Sequence, residues 1–228
     1  MPVDGPAGTP VPFADRAEAG RALADYVVRC PDLVRPVVVA LPRGGVPVGA
    51  GVARKLGAPL VVMPVGKVGA PGQEELAVGA VAPGDVRVLN QEVVSSLGLD
   101  EEQLEALVAK AAAKVAGQLR SYQAGATIEL AGRSAIVVDD GLATGASMCA
   151  ALIAVRRLGP CQVILAVPVA PPQVLATLAH LVDQEVCPLR PPHMHAVGSW
   201  YLDFAQTSDA EVVALLAELG GLPARPQT

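Results

Sequence analysis

Hydrophobic positions along this chain recur in two rhythms, short unbroken apolar runs and longer stretches spaced at helical intervals. Over residues 13–29, Ala17, Leu23, Ala24, Val27 and Val28 fall at a helical period, which predicts a helix. Pro36 then opens Val37-Val38-Val39-Ala40-Leu41, too short for a lone helix and rich in β-branched residues, which predicts a buried strand. A turn follows at residues 42–45, then a helix over 46–56 and a strand over 60–65. Residues 66–84, studded with Gly and Pro, read as a loop, and residues 86–89 as a short strand at a sheet edge. The clearest helix spans 100–122. Asp100 caps it, Glu101 and Glu102 suit its positive end, and Arg120 suits its negative end. Beyond it the pattern predicts strands over 134–138, 162–169 and 185–189, and helices over 146–158, 172–179 and 209–219.

Strands that alternate with helices predict an α/β fold, a doubly wound, mainly parallel sheet flanked by helices. Neither a repeat nor a linker divides the chain, so residues 13–228 are expected to form a single domain behind a flexible Pro/Gly-rich segment, 1–12. Composition supports a substantial core, with 52% hydrophobic residues against 17% charged. Aromatics contribute only 3%, and a core of Val, Leu and Ala suits strands buried on both faces. The net charge of −5, with no Lys/Arg cluster, argues against a nucleic-acid partner. An anionic small molecule remains compatible, because backbone amides and a few placed cations can hold it locally. Cys30, Cys149, Cys161 and Cys187 form no C-x-x-C pair and are expected as reduced thiols. Residues 1–12 lack the pattern of a signal peptide. The most apolar stretch, 163–179, is broken by Pro168, Pro171 and Pro172, short of the ~20 residues a spanning helix needs. A cytoplasmic protein without a membrane partner is therefore expected.

Residues 137–147, Val-Val-Asp-Asp-Gly-Leu-Ala-Thr-Gly-Ala-Ser, carry the most chemistry. An apolar strand delivers Asp139 and Asp140 to its C-terminal end, where open α/β sheets bind ligands. In the loop that follows, Gly141 and Gly145 let the backbone wrap closely around an anion. Thr144 and Ser147 add hydroxyl donors, and the next helix adds its first amides and its dipole. Such a loop suits a phosphate monoester, while the paired acids suit sugar hydroxyls or a hydrated cation. A ribose 5-phosphate moiety combines these features. An ordinary turn with a capping Asp accounts for one acid and one Gly, but not for Asp-Asp together with Thr-Gly-x-Ser. The sequence lacks G-x-x-x-x-G-K-[ST], and Gly44-Gly45 followed by Gly49 is not the dinucleotide fingerprint.

Residues 137–147 resemble the signature for 5-phosphoribosyl-1-pyrophosphate (PRPP) in type I phosphoribosyltransferases, an apolar strand and two acids before a Gly/Thr-rich loop. From residue 13 to 219 the chain is similar to a bacterial subgroup of that family. The resemblance implies the type I phosphoribosyltransferase fold with a small hood contributed mainly by residues 190–207. It implies a transferase that moves a 5-phosphoribosyl group from PRPP to a nitrogen acceptor and releases pyrophosphate, with Mg²⁺ as cofactor. Asp139 and Asp140 would then approach the ribose 2′ and 3′ hydroxyls. Gly141, Leu142, Ala143, Thr144, Gly145, Ala146 and Ser147 would hold the 5′-phosphate.

Other segments extend the resemblance. Pro42, Arg43, Gly44 and Gly45 follow the first core strand; the glycines permit close approach of amides, and Arg43 suits a bidentate contact with phosphate. The resemblance implies that this is the pyrophosphate loop, with a cis peptide before Arg43. Residues 66–72 resemble the start of the family's mobile catalytic loop, which places Lys67 against the phosphates of PRPP. Relatives commonly carry Arg-Lys where this chain has Gly66-Lys67, so one cation is absent. Arg43, Lys67, Asp139 and Asp140 are thereby the candidate catalytic residues.

Residues 196–204 contain three of the chain's six aromatic side chains and resemble the hood over the acceptor base. The resemblance implies that Val197 packs on the acceptor, that Trp200 and Tyr201 stack on a planar ring, and that Asp203 joins Asp139 and Asp140 at Mg²⁺, mainly through water. Equally, these aromatics would fasten the C-terminal helix to the sheet. Enzymes acting on 6-oxopurines place a Lys near the end of the strand before the hood. Residues 165–169 offer none, so a guanine or hypoxanthine acceptor is not implied and the small-molecule acceptor stays open. His193 and His195 lack a third ligand at suitable spacing and read as loop histidines. Family members commonly dimerise, and this apolar composition is compatible with a homodimer. Two further readings stay open: a PRPP-sensing module that binds without turnover, and an enzyme acting on another phosphorylated sugar.

Overall fold

Five strands form the central sheet, all parallel: β1 (Val37–Ala40), β2 (Leu60–Val62), β6 (Ser134–Val138), β7 (Gln162–Ala166) and β8 (Gln184–Val186), in the spatial order β2-β1-β6-β7-β8. The computed structural model describes residues 12–123 and 129–220, so the expected N-terminal segment lies almost wholly outside the described residues. Successive side chains of a strand point to opposite faces. Here Val38, Ala40, Ile136, Val138, Ile164 and Ala166 pack towards α1 (Arg16–Val27), α2 (Gly45–Leu56) and α7 (Asp209–Leu219). Val37, Val39, Ala135, Val137, Val163 and Leu165 pack towards α5 (Ala146–Arg157) and α6 (Pro172–Leu178). Both faces are therefore covered, and the expected doubly wound parallel fold holds. That double burial is why the strands read as continuous apolar runs rather than alternations.

A second sheet corrects the loop expected over residues 66–84. β3 (Gly66–Ala70), β4 (Gln73–Ala82) and β5 (Val86–Leu89) form an antiparallel sheet in the order β3-β4-β5, so residues 86–89 edge this small sheet instead of the main one. Its pattern was hidden for a physical reason. The register shifts at Val68/Gly69 and again at Gly69/Ala70, which breaks the period of two, and its inward residues are as small as Ala and Val. Helix α4 (Glu101–Gln123) covers one face, with Ala111 and Val115 against Val68, Ala70, Val78 and Val81. The other side contributes Ala80, Ala82 and Val86 to the main core, beside α5. A short helix, α3 (Gln91–Ser96), was not expected; Asn90 caps it by accepting from the Val93 amide.

The ends of several elements are shorter than the sequence pattern suggests. Helix α1 begins at Arg16, because Asp15 caps it by accepting from the Glu18 amide at 2.7 Å. Phe13, expected inside that helix, instead forms a bridge with Tyr201. Strand β7 stops at Ala166, and Val169 makes an isolated bridge to Leu189. Among the described residues no helix is long and apolar enough to cross a membrane.

Gly66 sits where α4 presses onto β3. A Cβ there would stand 2.9 Å from Val115 Cγ2 and 3.0 Å from the backbone oxygen of Ala111. Backbone oxygen in a long helix cannot swing aside, so Gly66→Ala is expected to destabilise the protein by ~1–3 kcal/mol through overpacking. Gly117, inside α4, has nothing within 4 Å of an added Cβ. Gly117→Ala is expected to stabilise by ~0.5–1 kcal/mol through helix propensity. Urea denaturation of both variants measures the two signs, and a neutral Gly66→Ala would show that α4 does not seal this position.

Candidate functional site

The order β2-β1-β6-β7-β8 changes direction between β1 and β6. Helix α2, which follows β1, lies on one face of the sheet, and α5, which follows β6, lies on the other. The loops leaving the two strands diverge and open a crevice at their C-terminal ends, the place where open α/β sheets bind ligands. The sequence puts Pro42-Arg43-Gly44-Gly45 after β1 and Asp139 to Ser147 after β6, so the fold brings both candidate loops to one crevice.

The two loops touch. Leu41 N donates to Val138 O at 2.9 Å, and Gly45 N donates to Leu41 O at 3.0 Å. A Cβ on Gly44 would overlap the Asp140 carboxylate, 2.8 Å from its Cγ, and one on Gly45 would lie 2.9 Å from Asp139 Cα. Only residues without side chains allow this approach. The Pro42–Arg43 peptide is cis, as the resemblance implied.

Asp139 and Asp140 are partly enclosed at the end of β6. Asp139 Oδ1 accepts from the Asp140 amide at 2.9 Å. Burial, and then the neighbouring Asp140 charge, hold the Asp139 carboxyl well above its ordinary value. Burial also raises Asp140, against the opposing pull of an ion pair with Arg16, whose Nε lies 2.8 Å from Asp140 Oδ2. Two adjacent carboxylates that both resist ionisation suit a hard cation or sugar hydroxyls, which would offset that cost. Among the described residues, no group of three or more His, Cys, Asp or Glu is gathered to hold a metal. A cation here would therefore share its coordination with oxygens of a bound ligand. His193 and His195 are exposed.

The anion loop runs from Gly141 to Ala146 at the start of α5, where Gly145 takes a left-handed conformation with φ of 77°. Leu142 is buried, and its amide donates to Val169 O at 3.0 Å, which pins the loop to the end of β7. Ala143, Thr144 and Ser147 are exposed beside the helix start, with Thr144 and Ser147 offering hydroxyls.

Other candidates sit further out. Arg43 Nη1 lies 3.7 Å from Asp209 Oδ2 at the start of α7, and Asp209 also accepts from the Tyr122 hydroxyl. Burial first, then that hydrogen bond, pushes the Tyr122 phenol up to about 12. Lys67 is exposed on β3, opposite Ala80 of β4. The mobile loop expected around it is therefore a strand. At Gly66 beside it, α4 crowds the place where a side chain would stand.

The hood folds back over the acids. Val197 starts a 3-10 turn, Val197–Trp200, and its Cγ1 lies 2.7 Å from where a Cβ on Gly141 would stand. Trp200 is half-buried, and its carbonyl accepts from Phe13 N at 2.9 Å. Tyr201 has a different place from the stacking role expected of it. Only 6% of it is exposed, its ring lies 5.7 Å from that of Phe13 and 5.1 Å from that of Phe204, and its hydroxyl donates to Asp140 O. Too little of the ring is open for a planar ligand. Asp203 is exposed, and its Oδ1 accepts from Ala205 N at 2.9 Å.

Arg16 was missed by the sequence reading, and Phe204, one of the three aromatics of the expected hood, was given no role of its own there. The guanidinium of Arg16 lies 3.8 Å from the centre of the Phe204 ring, and Nη1 donates to Ala205 O at 2.7 Å. One signal for Arg16 was available. A cation in the first turn opposes the helix dipole, and such a local misfit marks a partner elsewhere in the fold.

Comparison with known proteins shows the family. A family model described as "Phosphoribosyl transferase domain" matches residues 17–178. Two curated proteins from Mycobacterium tuberculosis strains, each named "Putative phosphoribosyl transferase", are 44% identical over 205 residues. These matches cover 90% of this chain and 46% of each relative, so the chain spans about half the length of the curated relatives it matches. A crystal structure of a protein from Thermus thermophilus is 40% identical, with a TM-score of 0.77, and covers 92% of this chain and 100% of that one.

The acid pair makes a prediction about stability. Because the Asp139 carboxyl is raised above its ordinary value of 3.8, the folded state favours its proton. That contribution is fully present below pH 3.8 and is lost as pH rises through the raised value. At pH 7.5, above that ordinary value, holding this carboxyl in its buried place therefore costs the ligand-free protein stability. Asp139→Asn removes one charge and keeps an oxygen to accept from the Asp140 amide. It is expected to raise Tm at pH 7.5 by roughly 2–4 °C, what ~1 kcal/mol gives at this size. Scanning calorimetry at pH 5 and pH 8 should find the gain larger at pH 8. A variant that melts lower at pH 8 would contradict the assignment.

Proposed function

We infer the function from one premise: this chain belongs to the phosphoribosyl transferase domain family. We propose that it transfers a 5-phosphoribosyl group from PRPP to a nitrogen acceptor and releases pyrophosphate, with Mg²⁺ as cofactor. The observation that carries this reading is the contact of the two loops, which sets a glycine-lined turn directly against a pair of carboxylates beside a phosphate-type loop. A ligand with a phosphate at one end, a diol in the middle and a pyrophosphate at the other fits that sequence of groups.

In this reading Asp139 and Asp140 accept hydrogen bonds from the ribose hydroxyls. Residues 141–147 surround the 5′-phosphate with backbone amides and the Thr144 and Ser147 hydroxyls. Pro42, Arg43, Gly44 and Gly45 face the pyrophosphate, and Lys67 adds a cation from the small sheet. Val197 and Trp200 border the acceptor, while Tyr201 braces the hood against Phe13 and Phe204. Bonding at C1′ passes from the pyrophosphate oxygen to the acceptor nitrogen, with the ribose positive and the leaving group negative in the transition state. The protein's part is to orient these groups and balance their charge. The donor set of Asp139 and Asp140 would suit Mg²⁺, which Asp203 would at most reach through water. Such an ion, when bound, would supply positive charge to the pyrophosphate oxygens.

A second reading has one observation in its favour. At Gly66, where relatives commonly carry an Arg, α4 fills the space, so the cation is not merely substituted but excluded. That favours a module that binds PRPP without turning it over.

Calorimetric titration with PRPP and MgCl₂ tests the site. The wild type is expected to bind in a Mg²⁺-dependent manner, and an Asp139→Asn/Asp140→Asn variant to lose ~100-fold or more in affinity, about what two charged hydrogen bonds supply. Absence of binding by the wild type would sink the PRPP reading. Pyrophosphate release across a panel of nitrogen acceptors then separates a transferase from a binding module.

A further inference from the structure

Arg16 touches three parts of the site at once. Its Nε lies 2.8 Å from Asp140 Oδ2, its Nη1 lies 2.7 Å from Ala205 O, and its guanidinium covers the Phe204 ring at 3.8 Å. The contact is enclosed, with only 12% of the Arg16 side chain and 14% of the Asp140 side chain exposed. Arg16 and residues 196–205 fall outside the span that the family model matches.

The geometry limits what this arginine can do. It sits at the first position of α1, held by the Asp15 cap, so its backbone is fixed. The planar guanidinium can serve a carboxylate and a carbonyl along its edges while its face lies on an aromatic ring. The pairing uses Oδ2 of Asp140 and leaves Oδ1 for a ligand hydroxyl. It also joins that carboxylate to the hood through Phe204 and Ala205. Tyr201 strengthens the same connection from the other side, since its hydroxyl donates to the Asp140 carbonyl and its ring packs on Phe204.

We propose that Arg16 is a positioning residue for the sugar end of the ligand, fixing the Asp140 carboxylate towards the ribose hydroxyls and coupling it to the hood. Ribose binding and hood position are then linked, while pyrophosphate binding alone is not. This inference rests on the PRPP reading of the site. The chain's single tryptophan, Trp200, lies in the hood and reports on it by its emission.

Wild type, Arg16→Ala and Arg16→Lys would each be titrated with ribose 5-phosphate, PRPP and inorganic pyrophosphate in MgCl₂, following heat and Trp200 emission. Arg16→Ala is expected to weaken ribose 5-phosphate and PRPP by ~10-fold or more and pyrophosphate by no more than ~2-fold, since one charge-assisted contact is worth about the former. Arg16→Lys keeps the charge but not the planar fork. It should recover part of the ribose 5-phosphate affinity while the ligand-induced change in Trp200 emission stays lost. Equal weakening towards all three ligands would overturn the proposal, because it would show a general structural role. Unchanged ribose 5-phosphate binding by Arg16→Ala would overturn it as well. Should Arg16→Ala not fold, Phe204→Leu removes the ring under the guanidinium and leaves Asp140 untouched. It is expected to diminish the Trp200 response with pyrophosphate binding intact, and an unaltered response overturns the coupling. A wild type that binds neither ribose 5-phosphate nor PRPP would overturn the site reading itself. A wild type that binds both, beside an unaffected Arg16→Ala, overturns only the role of Arg16.

Discussion

Two carboxylates on consecutive residues, at the end of a strand buried on both faces, repel each other and resist leaving water. Much of the candidate site is arranged around that constraint. Asp139 turns an oxygen to the following amide, Asp140 pairs with a distant arginine, and glycines of the neighbouring loop close in on both. A fold that sought only stability would place one acid there, or none. The tension is resolved in part by Arg16 and otherwise suits positive charge or hydroxyl donors from a bound partner.

The same constraint explains why the hood closes where it does. Phe13, Tyr201 and Phe204 pack together, and their cluster meets the site through the Asp140 carbonyl and the guanidinium of Arg16. In a chain with 3% aromatic residues, three of the six thus gather beside the acids. They join the N-terminal helix and the hood to the end of β6, elements that lie far apart in sequence. Flexibility in either would be felt at Asp140 first.

The small antiparallel sheet is a separate construction on the same scaffold. Helix α4 covers it closely at Gly66, where an added Cβ would stand 2.9 Å from Val115 Cγ2 and 3.0 Å from the Ala111 carbonyl oxygen. Arg43 meanwhile leans towards Asp209 and the start of α7.

Local pattern alone determined the parallel sheet, since unbroken runs such as 37–41 and 134–138 are what strands covered on both faces require. It also determined the carboxylate pair and the two loops, because glycines, acids and hydroxyls at the end of a strand are tied to one another by adjacency. The small sheet escaped it, as register shifts at Val68 and Gly69 erase the period of two. Tertiary structure decided what adjacency cannot express. It set Arg16 against Asp140 across 124 residues, turned Tyr201 from a surface for ligands into a brace, and closed the space beside Gly66. Each of those outcomes depends on side chains meeting across the folded chain, where no spacing in the sequence records the distance.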